Sequence, residues 1–112
     1  MIRVTKVFGL KQSDIEAIVK VLQGFPAIET ALIFGSRAMG NYKRGSDIDI
    51  AIKGEDVTFN ISSKISYLLN EETPMPYFFD VVHYEQIAND NLIDHINRVG
   101  VVFYTKSTFS NA

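Results

Sequence analysis

Two aspartates, Asp47 and Asp49, alternate with isoleucines in the stretch Ser46–Ile52. Successive side chains on a strand point to opposite faces, so the isoleucines can enter a core while both carboxylates share the other face. Two like charges this close raise the pKa of one carboxyl unless a cation lies between them. Carboxylate oxygens suit Mg²⁺ and Mn²⁺, and Mg²⁺ commonly binds one or two carboxylates together with substrate phosphates. The pair therefore predicts a divalent-ion site.

A glycine–serine pair, Gly35 and Ser36, ends the apolar run Ala31–Phe34 and precedes Asp47 by ten intervening residues. Gly35 has no side chain, so a ligand can approach its backbone closely. Ser36 is a good N-cap, and a helix beginning there would direct free N–H groups and a positive dipole end at an anion. The turn therefore predicts a polyphosphate contact beside the divalent-ion site. Further positive charge lies nearby, on Arg37, Lys43 and Arg44.

A third carboxylate, Asp80, lies within the aromatic and β-branched run Tyr77–Val82. An isolated carboxylate in such a strand is costly if it is buried and unpaired, and a shared metal ion would offset that cost. We therefore predict that Asp80 joins Asp47 and Asp49. The two histidines are too few and too scattered for a histidine-based metal site. His83 is interpreted as the partly buried end of a strand, and His95 as a helix-surface position.

The composition favours a small domain with a small anionic ligand. The chain has 112 residues, of which 46% are hydrophobic, and we expect one domain over 1–112 with a lead-in at 1–12 and a frayed tail at 105–112. Its net charge of −2 gives no basic field that would hold a long nucleic acid. The absence of cysteine excludes disulfides and thiolate zinc sites. No apolar run approaches a membrane span of about 18–20 residues and no signal peptide is recognisable, so we expect a cytoplasmic protein without membrane contact.

The hydrophobic periodicity predicts an α/β (α+β) domain. Its elements follow in the order helix, strand, short helix, strand, helix, strand, helix, strand. The first helix opens with a capping box at Ser13–Glu16 and stops at Gly24. Later elements are expected at Val57–Asn70, Tyr77–Val82, Tyr84–Ala88, Asn91–Val99 and Val101–Tyr104. This order predicts a mixed sheet of about four strands, with helices on one face and the other face open.

The spacing of Gly-Ser, ten residues and Asp-x-Asp resembles the signature of the polymerase-beta-like nucleotidyltransferase superfamily. The fuller pattern Gly-Ser-Arg-Ala-Met-Gly…Ser-Asp-Ile-Asp-Ile resembles its smallest branch, the minimal nucleotidyltransferases (MNT), over most of the chain. The resemblance implies that the open face of the sheet holds the active site, and that Asp80 completes it and takes the acceptor's proton. The family often has arginine where this chain has Met39, so any contact from that arginine is absent or is supplied by Arg37 or Arg44.

These residues predict transfer of a nucleoside monophosphate from a triphosphate to a hydroxyl acceptor, with release of pyrophosphate. Asp47 and Asp49 would hold one divalent ion and share a second with Asp80, and Gly35 with Ser36 would bind the β and γ phosphates. Two Mg²⁺ ions are expected, with Mn²⁺ as a possible substitute. ATP as the co-substrate is an expectation from the resemblance.

The resemblance also implies a partner. Minimal nucleotidyltransferases pair with all-helical HEPN proteins, act as antitoxins, and can attach AMP to a tyrosine of the HEPN toxin. Two alternatives stay open: one half of a two-protein small-molecule transferase similar to the aminoglycoside nucleotidyltransferases, or a non-catalytic module that binds nucleotide or partner. The intact aspartate trio argues against the non-catalytic module, and Met39 argues weakly for it.

Overall fold

The computed structural model describes residues 6–106. Residues 1–5 of the predicted lead-in and 107–112 of the predicted tail lie outside the described residues. The strands are β1 (Lys6–Val7), β2 (Leu10–Lys11), β3 (Thr30–Phe34), β4 (Ile48–Lys53), β5 (Phe79–His83) and β6 (Val101–Thr105). The helices are α1 (Gln12–Gln23), α2 (Gly35–Met39), α3 (Phe59–Glu71) and α4 (Asp90–Val99), with a short 3-10 helix at Tyr84–Gln86.

Four of the strands form one mixed sheet in the order β5-β4-β3-β6. The two central strands are antiparallel, as are β3 and β6, whereas β4 and β5 are parallel. The register places Phe34 of β3 opposite Asp49 of β4, and Asp49 opposite Asp80 of β5. The predicted α/β class with a mixed four-stranded sheet is therefore confirmed, and its register sets two of the predicted carboxylates side by side.

One face of the sheet packs against α1 and α3. The strand β4 contributes Ile48, Ile50 and Ile52, which are all fully buried there. Alternation of apolar and acidic side chains therefore works as predicted, because burial of the isoleucines leaves Asp49 on the opposite face. The facing helices supply Ile18, Leu22, Ile65 and Leu69.

The second face of the sheet is partly covered, which corrects the prediction that all helices share one face. Ile96 of α4 packs there against Leu32, Phe34 and Ala51. The reason is that α4 has an apolar stripe, which is stabilised by burial against another apolar surface. The second face of the sheet provides that surface. As a consequence, α4 lies beside the predicted site.

Three element boundaries also differ from the sequence prediction. The α1 helix begins at Gln12. Asp14, and not the predicted Glu16, makes the capping contact at its N-terminus, because the Lys11 N–H donates to the Asp14 carboxylate at 3.2 Å. Residues 6–11 form the β1–β2 hairpin rather than a loose lead-in, and Leu10 is fully buried in the core. The strand β5 begins only at Phe79, whose N–H and C=O both bond to the Asn70 amide.

The third boundary has a further consequence for β5. Its first residue is anchored to the end of α3, at 2.7 Å through the N–H and 2.9 Å through the carbonyl. Asp80 follows immediately, so the helix anchor determines where this carboxylate lies along the sheet.

No helix within residues 6–106 is both long and apolar enough to cross a bilayer.

We expect the substitution Ile50→Ala to lower the free energy of unfolding by about 2–5 kcal/mol, because it leaves a cavity under the central strand. Chemical denaturation with urea measures this change. The control is Val102→Thr, which alters a side chain that is 49% exposed on β6 and should cost less than about 1 kcal/mol. Equal losses from the two variants would contradict the core position of Ile50.

Candidate active site

The turn from β3 into α2 places the backbone of Gly35 against the carboxylate of Asp49. Gly35 has φ +73°, a left-handed conformation that side chains disfavour. A Cβ atom placed on Gly35 would overlap the Oδ2 atom of Asp49. Glycine is therefore favoured here for two reasons, the left-handed backbone conformation and the close approach of the Asp49 carboxylate.

Two carboxylates lie on neighbouring strands of the sheet near this turn, and a third lies just before β4. Asp49 is half-buried on β4, Asp80 is exposed directly opposite on β5, and Asp47 is exposed two residues before Asp49. Burial, followed by the negative charges of Asp80 and Asp47, raises the pKa of Asp49 from 3.8 to about 6. The three predicted residues are thus close enough to interact electrostatically.

The donor set fits a divalent cation. All three groups supply carboxylate oxygens, which Mg²⁺ and Mn²⁺ prefer. The pKa of Asp49 is raised by burial and then by the charges of Asp80 and Asp47, and a bound cation would counteract both effects. Within residues 6–106, however, no three acidic, histidine or cysteine side chains are assembled into a ready-made metal-binding group. The metal-ligand roles of Asp47, Asp49 and Asp80 therefore remain predictions.

The glycine–serine turn uses part of its hydrogen-bonding capacity within the chain. The Gly35 N–H donates to Nε2 of His95 at 3.2 Å, and the Ser36 carbonyl accepts the Gly40 N–H at 2.9 Å. The α2 helix has only five residues, so its dipole contributes little. A phosphate contact through the Gly35 N–H would have to displace His95, whereas the N–H and hydroxyl of Ser36 remain the predicted phosphate donors.

Arg37 is placed inside the fold rather than on its surface. Its side chain is only 3% exposed. Its Nη1 donates to the Phe8 carbonyl at 2.8 Å, and its Nε and Nη2 donate to the Ser46 carbonyl at 3.1 and 2.9 Å. The rings of Tyr42 and Tyr77 lie 5.2 and 5.0 Å from the guanidinium carbon. This placement argues against the predicted phosphate contact and for a role in tying the loop 40–46 to the β1–β2 hairpin.

The other cations of the loop face solvent. Lys43 and Arg44 are exposed and line a cavity of about 290 Å³ that also touches Gly9 and Tyr77. The loop is closed by two bonds between Lys43 and Ser46: the Lys43 N–H donates to Oγ at 2.8 Å, and the Ser46 N–H donates to the Lys43 carbonyl at 3.0 Å. Arg44 therefore keeps its predicted role as a candidate phosphate contact.

The sequence predicts a helix-surface position for His95, and the structure corrects this. His95 is half-buried, bonds to Gly35 and stands edge-on to Phe34, with ring centroids 6.0 Å apart. Its spacing from Leu92 and Val99, three and four residues, would have placed it on the inner face of α4. His83 is partly buried at the end of β5, as predicted.

We expect the substitution Gly35→Ala to weaken Mn²⁺ binding, because the new methyl group must displace the Asp49 carboxylate. Calorimetric titration with Mn²⁺ measures the affinity, and thermal melting reports folding. Gly40→Ala is the matched control, since Gly40 also has a positive φ, +86°, but a Cβ there meets nothing within 4 Å. The role of the close approach is contradicted if both variants bind Mn²⁺ equally.

The raised pKa of Asp49 predicts a pH-dependent stability without metal. Its folded-state pKa, about 6, lies above the ordinary 3.8, so the folded state binds more protons and stability falls as the pH rises between these values. Asp49→Asn should therefore raise the melting temperature at pH 8 and lose this advantage near pH 4. Asp56→Asn, an exposed turn residue, is the charge-matched control. An unchanged melting temperature for Asp49→Asn at pH 8 would contradict the raised pKa of Asp49.

Comparison with solved structures finds the same fold in toxin–antitoxin complexes. One is a toxin–antitoxin with AMP-PNP (TM-score 0.69, 23% identity, 84% of this chain and 75% of that chain). Another is a tri-AMPylated HEPN toxin of Shewanella oneidensis in complex with an MNT antitoxin (TM-score 0.65, 20% identity, coverage 87% and 74%). A mutant MntA–HpeT toxin–antitoxin complex is similar (TM-score 0.66, 19% identity, coverage 84% and 75%). At these identities the likeness concerns the fold.

No curated protein sequence matches the chain significantly. The family described as polymerase beta nucleotidyltransferase matches residues 16–109, which include β3, the glycine–serine turn and all three aspartates. This match spans most of the chain and agrees with the mixed sheet and with the placement of the turn. The chain therefore belongs to the polymerase beta nucleotidyltransferase family.

Proposed function

We propose that the protein transfers a nucleoside monophosphate, AMP from ATP, to a hydroxyl group outside the chain. The observation that carries this proposal is the position of Asp49, which pairs in register with Asp80, is close enough to Asp47 for their charges to interact, and lies against Gly35. Membership of the nucleotidyltransferase family supports the reaction class.

Asp47, Asp49 and Asp80 would hold the two divalent ions, Mg²⁺ or Mn²⁺, that nucleotidyltransferases of this fold usually use. When bound, the ions neutralise phosphate charge and make the acceptor hydroxyl more acidic. Ser36 would donate its N–H and hydroxyl to the β and γ phosphates, next to the Asp49 carboxylate that lies against Gly35. Arg44 adds positive charge from the loop.

The transfer forms a bond between the acceptor oxygen and the α-phosphorus and breaks the bond from that phosphorus to pyrophosphate, which leaves. The acceptor's proton passes to Asp80, which is exposed on the edge strand β5 and open to a group from outside. The work of the protein is positioning and charge neutralisation, since it forms no covalent bond itself.

We propose a tyrosine of a HEPN partner as the acceptor, with the protein acting as its antitoxin. The described residues make a small domain with exposed Asp47 and Asp80, so an acceptor can reach these side chains from a second protein. The solved complexes with the same fold include an AMPylated HEPN toxin with an MNT antitoxin and a toxin–antitoxin with AMP-PNP. These similarities support the choice of acceptor class and of nucleotide.

The test uses α-³²P-labelled ATP, Mg²⁺ and a HEPN protein as the candidate acceptor. We expect label on a tyrosine of that protein, and no transfer by Asp49→Asn, because the amide cannot replace a carboxylate ligand. Asp56→Asn should transfer like the wild type. Retained turnover in Asp49→Asn would contradict the assignment of the site.

Other outcomes of the same experiment decide between the alternatives. Label that appears on an aminoglycoside-like acceptor, and not on the protein, would replace the tyrosine by a small molecule. A complete lack of label, although the two proteins form a complex by gel filtration, would show a binding module in place of an enzyme.

A further inference from the structure

His95 contacts both residues at the junction of β3 and α2. Its Nε2 accepts the Gly35 N–H at 3.2 Å, across 60 residues of sequence. Its ring stands at 78° to the Phe34 ring. The helix α4, which carries His95, also packs on this face of the sheet through Ile96. This packing fixes the backbone from which the imidazole extends. A hydrogen bond and a ring contact together define its position.

The hydrogen bond also defines the state of the imidazole. A nitrogen that accepts a hydrogen bond carries no proton, so the neutral ring has its proton on Nδ1. A histidinium would donate from both nitrogens and could not accept from Gly35. His95 is therefore an acceptor in this structure.

Gly35 is the first residue of α2, so its N–H has no partner within the helix and needs one elsewhere. His95 supplies that partner. The same glycine presses against Asp49, and its neighbour Phe34 pairs with Asp49 in the β3–β4 register. His95 thus holds the two residues that lie against the central carboxylate.

We propose that His95 is a positioning residue for Asp49: by accepting the Gly35 N–H, it holds the glycine backbone against the carboxylate. This inference rests on the proposed function, because only the proposed function makes Asp49 a metal ligand. It also divides the turn into two parts, with Gly35 bonded inside the protein and Ser36 left to face phosphate.

Amide hydrogen exchange measured by NMR tests the contact without nucleotide or metal. His95→Met removes the acceptor at similar volume, and we expect the Gly35 amide to exchange about tenfold faster. His95→Gln places an amide oxygen near the position of Nε2 and should restore slow exchange. Circular dichroism confirms folding of both variants. Unchanged Gly35 exchange in His95→Met would overturn the inference.

Calorimetric titration with Mn²⁺ then tests the effect on Asp49. We expect about tenfold weaker binding in His95→Met, as for other groups that orient metal ligands, and nearly wild-type affinity in His95→Gln. Asn91→Met, on the exposed side of α4, is the control and should bind like the wild type. Wild-type Mn²⁺ affinity in His95→Met, with fast Gly35 exchange, would overturn the positioning role.

The two proposals fail in different ways. A wild type that binds no Mn²⁺ overturns the proposed function, and the positioning role for a metal ligand falls with it. In that case, slow exchange of the Gly35 amide in the wild type and faster exchange in His95→Met would still establish the hydrogen bond between Gly35 and His95. A wild type that binds Mn²⁺ and a His95→Met variant that binds it equally well leave the proposed function standing and overturn the inference alone.

Discussion

The contact between the Gly35 backbone and the Asp49 carboxylate is the constraint around which this face of the sheet is built. It places a charged group against the main chain, half-buried, with a second carboxylate opposite it on β5. Such an arrangement is electrostatically unfavourable in isolation, which the raised pKa of Asp49 shows. The position of Asp49 is maintained because the isoleucines on the other face of β4 are buried in the core and fix the strand. The apolar core therefore supports a concentration of negative charge that local interactions would disperse.

A second constraint shapes the loop that separates the glycine–serine turn from the aspartates. Burial of a guanidinium is costly unless its donors are satisfied. Arg37 meets this requirement with the carbonyls of Phe8 and Ser46 and with two tyrosine rings. The three basic residues that adjoin the turn thus divide by role. Arg37 organises the loop, whereas Lys43 and Arg44 remain at the surface, where an anionic ligand can reach them.

The helix α4 connects the site to the rest of the domain. Its apolar stripe packs on the sheet face that also carries the carboxylates, and its one inward-facing histidine reaches the turn. A sheet covered on one side only would leave that turn without a partner for its first N–H. The helix therefore contributes to the site through packing and one hydrogen bond.

The sequence by itself determined the local features of this protein: the order of the elements from α1 onward, the alternation that sends Asp49 and the isoleucines to opposite faces, and the turn at Gly35. These follow from side-chain periodicity and backbone preference, which act over a few residues. Only the tertiary structure decided that Asp80 stands opposite Asp49, that Arg37 is buried, and that His95 bonds to Gly35. Each of these joins segments far apart in the chain, and strand register and hydrogen-bond partners across such distances are selected by packing of the whole domain.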